Sequence, residues 1–203
     1  MTQVIFSDEI TVKLVRSMAS DDMVVQAAQV SSKGQNNPST VPQRLIQALM
    51  SGKHGSPFEH NAFTFFVEAP IFVFREWQRH RISSFNEMSG RYTELMPKFY
   101  TIAEDRKLIN KGTKMKPQMA FDDIRAQAVN AHLRQNAQDA WISYQHQLEL
   151  GVANEVARMT LPLNIYSQMY WTVNARSLMN FLSLRSRQDG TAVPSYPQRE
   201  IQM

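Results

Sequence analysis

Residues 61–81 read NAFTFFVEAPIFVFREWQRHR. The first part, NAFTFFVEA, is rich in aromatic residues and predicts a strand, because Phe, Val and Thr pack well on a pleated surface. Pro70 ends it, having no N–H to give to a ladder. From Ile71 the period changes. Phe74, Trp77 and Arg81 fall on one line, which predicts a helix over 71–81. A strand that runs straight into a helix, and finishes on Arg79, His80 and Arg81, points to a mixed fold with an anion-seeking end.

The flanks complete the pattern. Upstream, Ile10, Val12 and Leu14 alternate with polar neighbours and predict a half-buried strand over 10–18. Ser20 is placed to cap a helix over 21–30, with Asp21 and Asp22 at its positive end. SSKGQNNPST (31–40) reads as a loop, and Thr40-x-x-Gln43 with Pro42 as a capping box for a helix over 42–53. HGSPFEH (54–60) is a second loop. Downstream, 83–90 looks irregular and 97–118 is a Pro/Lys-rich surface excursion. A long helix is expected over 121–150 with Gly151 as terminator, then a short helix stopped by Pro162. A strand over 164–172 and a helix capped by Asn174 finish the pattern. The expectation is α+β: one compact domain over 1–203, with a mixed or antiparallel sheet and flanking helices.

Composition narrows the chemistry. The chain has 203 residues, 43% apolar and 20% charged, as a globular protein does. It has no cysteine, which excludes a disulfide framework, a Cys-ligated zinc or iron–sulfur site and a thiolate nucleophile. The opening MTQVIFSDEI lacks a basic segment followed by an apolar run, so no secretory signal and a cytoplasmic location are expected. The apolar stretch 62–74 is broken by Glu68 and Pro70, so no membrane span is expected. Lys and Arg number 22 against 18 Asp and Glu, a mild excess of +4 that is scattered along the chain. That suits anionic small ligands at least as well as a nucleic-acid backbone.

Three places carry candidate chemistry. Arg79, His80 and Arg81 precede Ser83, Ser84, Asn86, Glu87, Ser89 and Arg91, and guanidinium forks with nearby hydroxyls suit a phosphate. The competing reading is a solvated helix end. His54, Glu59 and His60 share a loop, but no further cluster stands at ligand spacing, so no metal site is expected. On the helix after Asn174, Leu178, Phe181 and Leu182 mark a buried stripe that Arg185 continues. An arginine there either snorkels or meets an anion. Arg176 and Asn180 form a separate i, i+4 pair that can face one ligand, while Arg158 reads as half of a surface pair with Glu155. Ser89, in Met-Ser-Gly, lacks the nucleophile-elbow context, and neither a G-x-G-x-x-G nor a P-loop is present.

RHRISSFNEMSGRY, with seven residues between Arg81 and Ser89, resembles the signature of the flavin-dependent thymidylate synthases. HGSPFEH, EVARMTLPLNIY and WTVNARSLMNFLSLR extend the resemblance, in order, over about Ser31 to Arg185. It implies an enzyme that makes dTMP from dUMP, with FAD as cofactor, 5,10-methylenetetrahydrofolate as one-carbon donor and NADPH as reductant. It also implies a homotetramer whose active sites draw on more than one subunit. Nucleic acid and membrane are not expected partners. Carried over block by block, FAD falls to Ser31, Ser56, Glu59, Arg79, His80, Arg81, Glu87, Asn174, Arg176 and Asn180. The substrate dUMP falls to Arg79, Glu87, Met88, Ser89, Gly90, Arg91, Arg158 and Arg185. His54 and Arg185 are the expected catalytic residues, with His54 beside flavin and folate and Arg185 at the uracil. On this reading Ser89 is a phosphate ligand rather than a nucleophile. Two departures stand out. Position 76 is Glu where Gln is expected, a carboxylate that needs a partner such as Arg75 or Arg79. QREIQM (198–203) resembles only the start of a longer terminal helix, as a naturally short form or a truncated chain would show. The alternative class is a basic nucleic-acid-binding protein that uses Arg79–Arg81 and nearby aromatics as a phosphate-and-stacking platform.

Overall fold

The computed structural model describes residues 3–33, 42–114, 116–187 and 195–202. The Thr40 capping box therefore lies outside the described residues. In chain order the elements are β1 (Ile5–Ser7), β2 (Thr11–Met18), α1 (Asp21–Lys33), α2 (Pro42–Ser51), β3 (Ala62–Pro70) and α3 (Ile71–Trp77). Then come β4 (Ser84–Glu87), β5 (Lys98–Tyr100), β6 (Ile109–Asn110), β7 (Met119–Ala120) and α4 (Asp123–Glu149). The chain finishes with α5 (Asn154–Ala157), β8 (Tyr166–Asn174), α6 (Ala175–Arg185) and α7 (Arg199–Gln202). The expected α+β class holds.

The main sheet runs β2-β3-β8-β4 and is antiparallel throughout. Its centre is β3 against β8, paired from Ala62 opposite Asn174 to Pro70 opposite Tyr166. Alternate residues Val67, Ala69, Met169, Trp171 and Val173 point to one face and are almost fully buried. There they meet Val73, Phe74 and Trp77 of α3, Phe181 of α6 and Ile201 of α7. Trp77 stands edge-on to Trp171 with centroids 5.2 Å apart and lies 4.8 Å from the Phe181 ring. A second cluster joins Trp141, Tyr144 and Ala137 of α4 to Phe99, Leu95, Ala157 and Ile165. β5 crosses between the two parts, pairing in parallel with β1.

Several expectations shift by a few residues, each for a local reason. Helix α1 begins as read, with the Met23 N–H donating to Ser20 Oγ, but continues through Lys33 into the stretch read as loop. Helix α3 stops at Trp77 rather than Arg81, because Gln78 and His80 close it with N–H bonds to Phe74 and Trp77 carbonyls. The 83–90 stretch is not irregular throughout: Ser84–Glu87 is an edge strand on β8. The 97–118 excursion contains buried β5, where Phe99 is 0% exposed. β2 forms where read but is largely exposed, Leu14 at 57% and Met18 at 65%, because it is an edge strand of the sheet. The long helix ends as expected. Gly151, at φ +80, supplies the left-handed residue while Val152 N–H reaches the Gln147 carbonyl.

Candidate active site

The direct passage from β3 into α3 fixes where the cations go. Ile71 and Phe72 N–H groups bond the carbonyls of Ile165 and Leu163, so α3 is tied to the approach to β8 at its first turn. Phe74 and Trp77 hold its inner face in the core, 1% and 4% exposed. Arg75 and Arg79 are therefore left on the outer side, exposed. Helix α6 reaches the same place from β8. Asn174 Oδ1 accepts from the Ser177 N–H at 2.8 Å, and this cap sets the helix phase.

A cleft of about 1190 Å³ opens between these elements, lined by Glu59, Arg75, Glu76, Arg79, His80, Arg81, Arg176, Asn180 and Arg185 with a few neighbours. Seven residues expected at the site (Glu59, Arg79, His80, Arg81, Arg176, Asn180 and Arg185) thus share one wall-to-wall space. Arg75, Arg79 and Arg81 make no ion pair among the described residues. Unpaired guanidinium groups converging on a cleft are suited to bidentate anion binding. Arg176 lies across the 54–60 loop and bonds Glu59 through Nη1. It rests on Gly55, where an added Cβ would stand 2.6 Å from its Nε. Gly55→Ala is accordingly expected to fold with a melting temperature near the parent's while pushing Arg176 off the 54–60 loop, which loss of the Arg176–Glu59 contact in the variant's structure will show.

Arg185 does not snorkel. Its Nε donates to His80 Nε2 at 3.0 Å and its Nη1 bonds Glu76 Oε1. Glu76 thus finds its partner in Arg185, not in Arg75 or Arg79. Burial pushes the Glu76 carboxyl up, with the Arg185 charge opposing. Burial and the same guanidinium both hold the His80 imidazole below its usual value. A neutral His80 is also what the hydrogen bond requires, since Nε2 must accept. Leu182, expected on the buried stripe, is 46% exposed; Leu178 and Phe181 pack as expected.

Other expected residues lie apart from this cleft. Met88, Gly90, Glu87 and Arg158 line a separate cavity of about 100 Å³ with Leu95, Ile165 and Ser167. Gly90 packs on the stem of Arg158, an added Cβ meeting its Cδ at 3.3 Å. The Ser89 carbonyl closes a turn with the N–H groups of Tyr92 and Thr93. Arg91, not Arg158, takes Glu155 as its partner, at 3.2 Å. Glu87 accepts from Gln78 Nε2 at 3.2 Å. His54 is exposed beyond a tight turn whose Lys53 has φ +56, Ser56 opens the short 3-10 turn, and Ser31 bonds the Ala28 carbonyl at 3.0 Å. None of these three lines the cleft. Arg75, expected only as a partner for Glu76, and Ser177, not singled out, also line it; Arg75 shares the sequence run of Arg79, whereas Ser177 offers no signal beyond its place after the Asn174 cap. Among the described residues no three His, Asp or Glu gather as metal ligands, and no helix is long and apolar enough to cross a membrane.

The chain is similar to known proteins over nearly its whole length. Residues 13–202 match the family described as thymidylate synthase complementing protein. The chain is 47% identical to a flavin-dependent thymidylate synthase of Streptomyces avermitilis, over 98% of this chain and 84% of that protein. It is also 47% identical to a flavin-dependent thymidylate synthase of Tropheryma whipplei strain TW08/27, over 98% and 85% of the two. A solved structure of the UMP/dUMP methylase PolB from Streptomyces cacaoi, bound with 5-Br dUMP, is similar at TM-score 0.90 and 42% identity, covering 98% of this chain and 88% of that one. The arginine-lined cleft thus stands in a fold and a sequence of known kind: the chain belongs to the thymidylate synthase complementing protein family, the flavin-dependent thymidylate synthases.

Proposed function

We propose that the chain converts dUMP to dTMP, using FAD, with 5,10-methylenetetrahydrofolate as one-carbon donor and NADPH as reductant. The observation that carries this reading is the convergence of Arg79 and Arg81, just after α3, and of Arg176 and Arg185, at the two ends of α6, on one cleft. The donor set fits a dinucleotide. Unpaired Arg79 and Arg81 suit a pyrophosphate, Asn180 adds a neutral amide, and the side chains of Phe72, Ile82 and Leu184 give the cleft apolar wall for a ring. Gly55 leaves the space in which Arg176 lies, as a cradle for an extended ligand requires. When bound and reduced, FAD supplies the hydride.

The protein's share is binding and electrostatics. Without cysteine the chain offers no thiolate to the pyrimidine, so activation falls to fixed positive charge. Arg185, with its plane set by His80 and Glu76, keeps guanidinium hydrogens for a polarised pyrimidine edge. The cavity of Met88, Gly90 and Arg158 is the place this reading gives to the nucleotide phosphate, with Ser89 and Arg91 the chain neighbours of Gly90. The two clefts share no lining residue, which favours a site completed by more than one copy of the chain. The exposed edge strand β2, bearing Val12, Leu14, Val15 and Met18, favours burial between copies, and we read the assembly as the homotetramer. The cytoplasm, where dUMP and reduced folate are at hand, is the compartment this reading takes.

The test is an assay of dTMP and tetrahydrofolate formed from dUMP and methylenetetrahydrofolate, dependent on NADPH. The purified protein should be yellow, with absorption near ~450 nm from the flavin. A colourless protein that takes up neither FAD nor dUMP would point to the nucleic-acid reading instead. Ser89→Ala should retain measurable turnover with a raised KM for dUMP. Loss of all chemistry with dUMP still bound normally would make Ser89 the nucleophile.

A further inference from the structure

The segment 106–121, RKLINKGTKMKPQMAF, lines neither the arginine cleft nor the smaller cavity. It carries Arg106, Lys107, Lys111, Lys114 and Lys116, and no Asp or Glu. Without these residues the Lys and Arg of the chain would no longer outnumber its Asp and Glu. The mild positive excess therefore has one centre.

That centre is a built hairpin. β6 and β7 pair Ile109 with Ala120 and Asn110 with Met119. Asn110 Oδ1 accepts from the Gly112 and Gln118 N–H groups at 2.9 and 3.1 Å, and Thr113 Oγ1 accepts from the Lys116 N–H at 3.0 Å. Gly112 lies so close to the returning chain that an added Cβ would stand 2.3 Å from the Lys116 carbonyl oxygen. The lysines are thus carried on a defined frame. Lys107, Lys111, Lys114 and Lys116 are all exposed, and none makes an ion pair among the described residues. Like charges gathered on one hairpin repel one another until an anion lies among them.

A groove of about 620 Å³ runs beside the hairpin, lined by Lys107, Pro117, Gln118 and Met119, and by Tyr196 and Gln198 ahead of α7. Gln198 also lines the arginine cleft, so the two spaces adjoin. Arg106 and Arg199 of the groove are committed to Glu200 and Asp105. The cations left free on the hairpin are lysines, and this bears on the ligand. A guanidinium fork suits a phosphate; an ammonium is a point charge on a flexible stem, suited to single carboxylates at varied spacing.

We propose that the β6–β7 hairpin and the groove beside it receive the oligo-γ-glutamyl tail of the folate co-substrate. The inference rests on the reading of the chain as a folate-dependent enzyme. Methylenetetrahydrofolate ends in a glutamate, and each further γ-linked glutamate adds one carboxylate to a flexible chain. A folate seated in the cleft can pass such a tail by Gln198 to the lysines, which offer a matching series of positive charges. Exposed pairs of this kind are individually weak, so the gain comes from several acting along one tail.

The test sets the full-length parent beside a variant combining Lys111→Gln, Lys114→Gln and Lys116→Gln. The first measurement is a calorimetric titration with tetrahydrofolate bearing one or five glutamates, in the presence of FAD and dUMP. It needs no turnover. The parent should bind the five-glutamate form about tenfold more tightly at low salt, and the variant should bind the two forms about equally. Added salt should shrink the parent's preference, because the charges that meet are exposed. The second is steady-state dTMP formation. The ratio of KM values for the two lengths of methylenetetrahydrofolate should be about ten in the parent and near one in the variant. Equal affinity for both lengths in the parent overturns the proposal, as does a preference that survives in the variant. A single-stranded RNA bound by the parent and lost in the variant, with no glutamate preference, overturns it and gives the hairpin to nucleic acid. If the combined variant does not fold, Lys114→Glu decides: a reduced preference supports the tail site, and an unchanged one overturns it. A parent that makes dTMP with no preference for length loses the tail site alone. A parent that binds neither folate and makes no dTMP sinks the enzyme reading, and the tail site with it.

Discussion

Arg185→Ala is expected to form dTMP about 100- to 1000-fold more slowly than the parent chain while taking up flavin nearly as well. The asymmetry follows from what Arg185 touches. Its contacts are Glu76 and His80, both inside the cleft, whereas Arg79, Arg81 and Arg176 remain to hold an extended anion. Losing one fixed guanidinium removes stabilisation of charge that develops during reaction, so kcat should carry the loss. Arg185→Lys is the informative companion. A lysine keeps the charge but has one nitrogen, and cannot bond Glu76 and His80 from separate atoms. It should resemble Ala more than Arg in kcat. The measurement is steady-state dTMP formation with flavin content determined on the same samples. A variant Arg185→Ala with near-parent kcat would place the activating charge elsewhere.

The second large effect concerns stability. Glu200, 2% exposed, accepts from Arg106 Nε at 2.7 Å and from Tyr100 Oη at 3.0 Å, tying α7 to the body of the fold. Arg106→Ala strands that carboxylate in the interior and should destabilise the chain by about 3–5 kcal/mol, read as a lowered urea midpoint. The pH dependence has a definite sign. Burial acts to raise the Glu200 carboxyl, but the hydrogen bonds and charge of Arg106 outweigh it, and the group stays below its ordinary value of 4.5. Its contribution is therefore complete above that value and is lost as pH falls through the lower, folded one. The parent chain should lose this increment in acid, and Arg106→Ala should show a shallower acid slope because the increment is already gone. Equal slopes would mean that Glu200 does not drive the acid loss.

What could be read in advance divides by range. Signals carried by neighbours were legible: Pro70 ends a strand, Ser20 and Asn174 cap helices, and Gly151 supplies a left-handed residue. The span of α3 was over-read because Arg81 keeps the period of Phe74 and Trp77 although the hydrogen bonds stop sooner. β4 was missed because four residues carry too little alternation, and its partner β8 lies far along the chain. β5 was missed because Pro97 and nearby lysines mask two residues, Phe99 and Tyr100, that are buried only once β1 is alongside. For the site, resemblance nominated Glu59, Arg79, His80, Arg81, Arg176, Asn180 and Arg185, and the fold puts them on one cleft. The same block matching nominated Arg79 and Arg185 for dUMP alongside Met88 and Gly90, which line a different cavity within one chain. No periodicity could have paired Glu76 with Arg185. They lie on separate helices, and only the closing of α6 against α3 brings them together.

The three tryptophans of the chain are divided between its two cores. Trp77 and Trp171 lie in the layer beneath the cleft, with Phe181 in contact with both of them and with the His80 ring; Trp141 belongs to the other cluster. Intrinsic emission should consequently report on occupancy. Flavin held in that cleft, as proposed above, would accept their excitation energy, so fluorescence should fall as flavin is added and recover as it is stripped. Replacing both residues by Phe should leave Trp141 as a dimmer reporter of the same event, giving the protein a built-in optical gauge of its own loading.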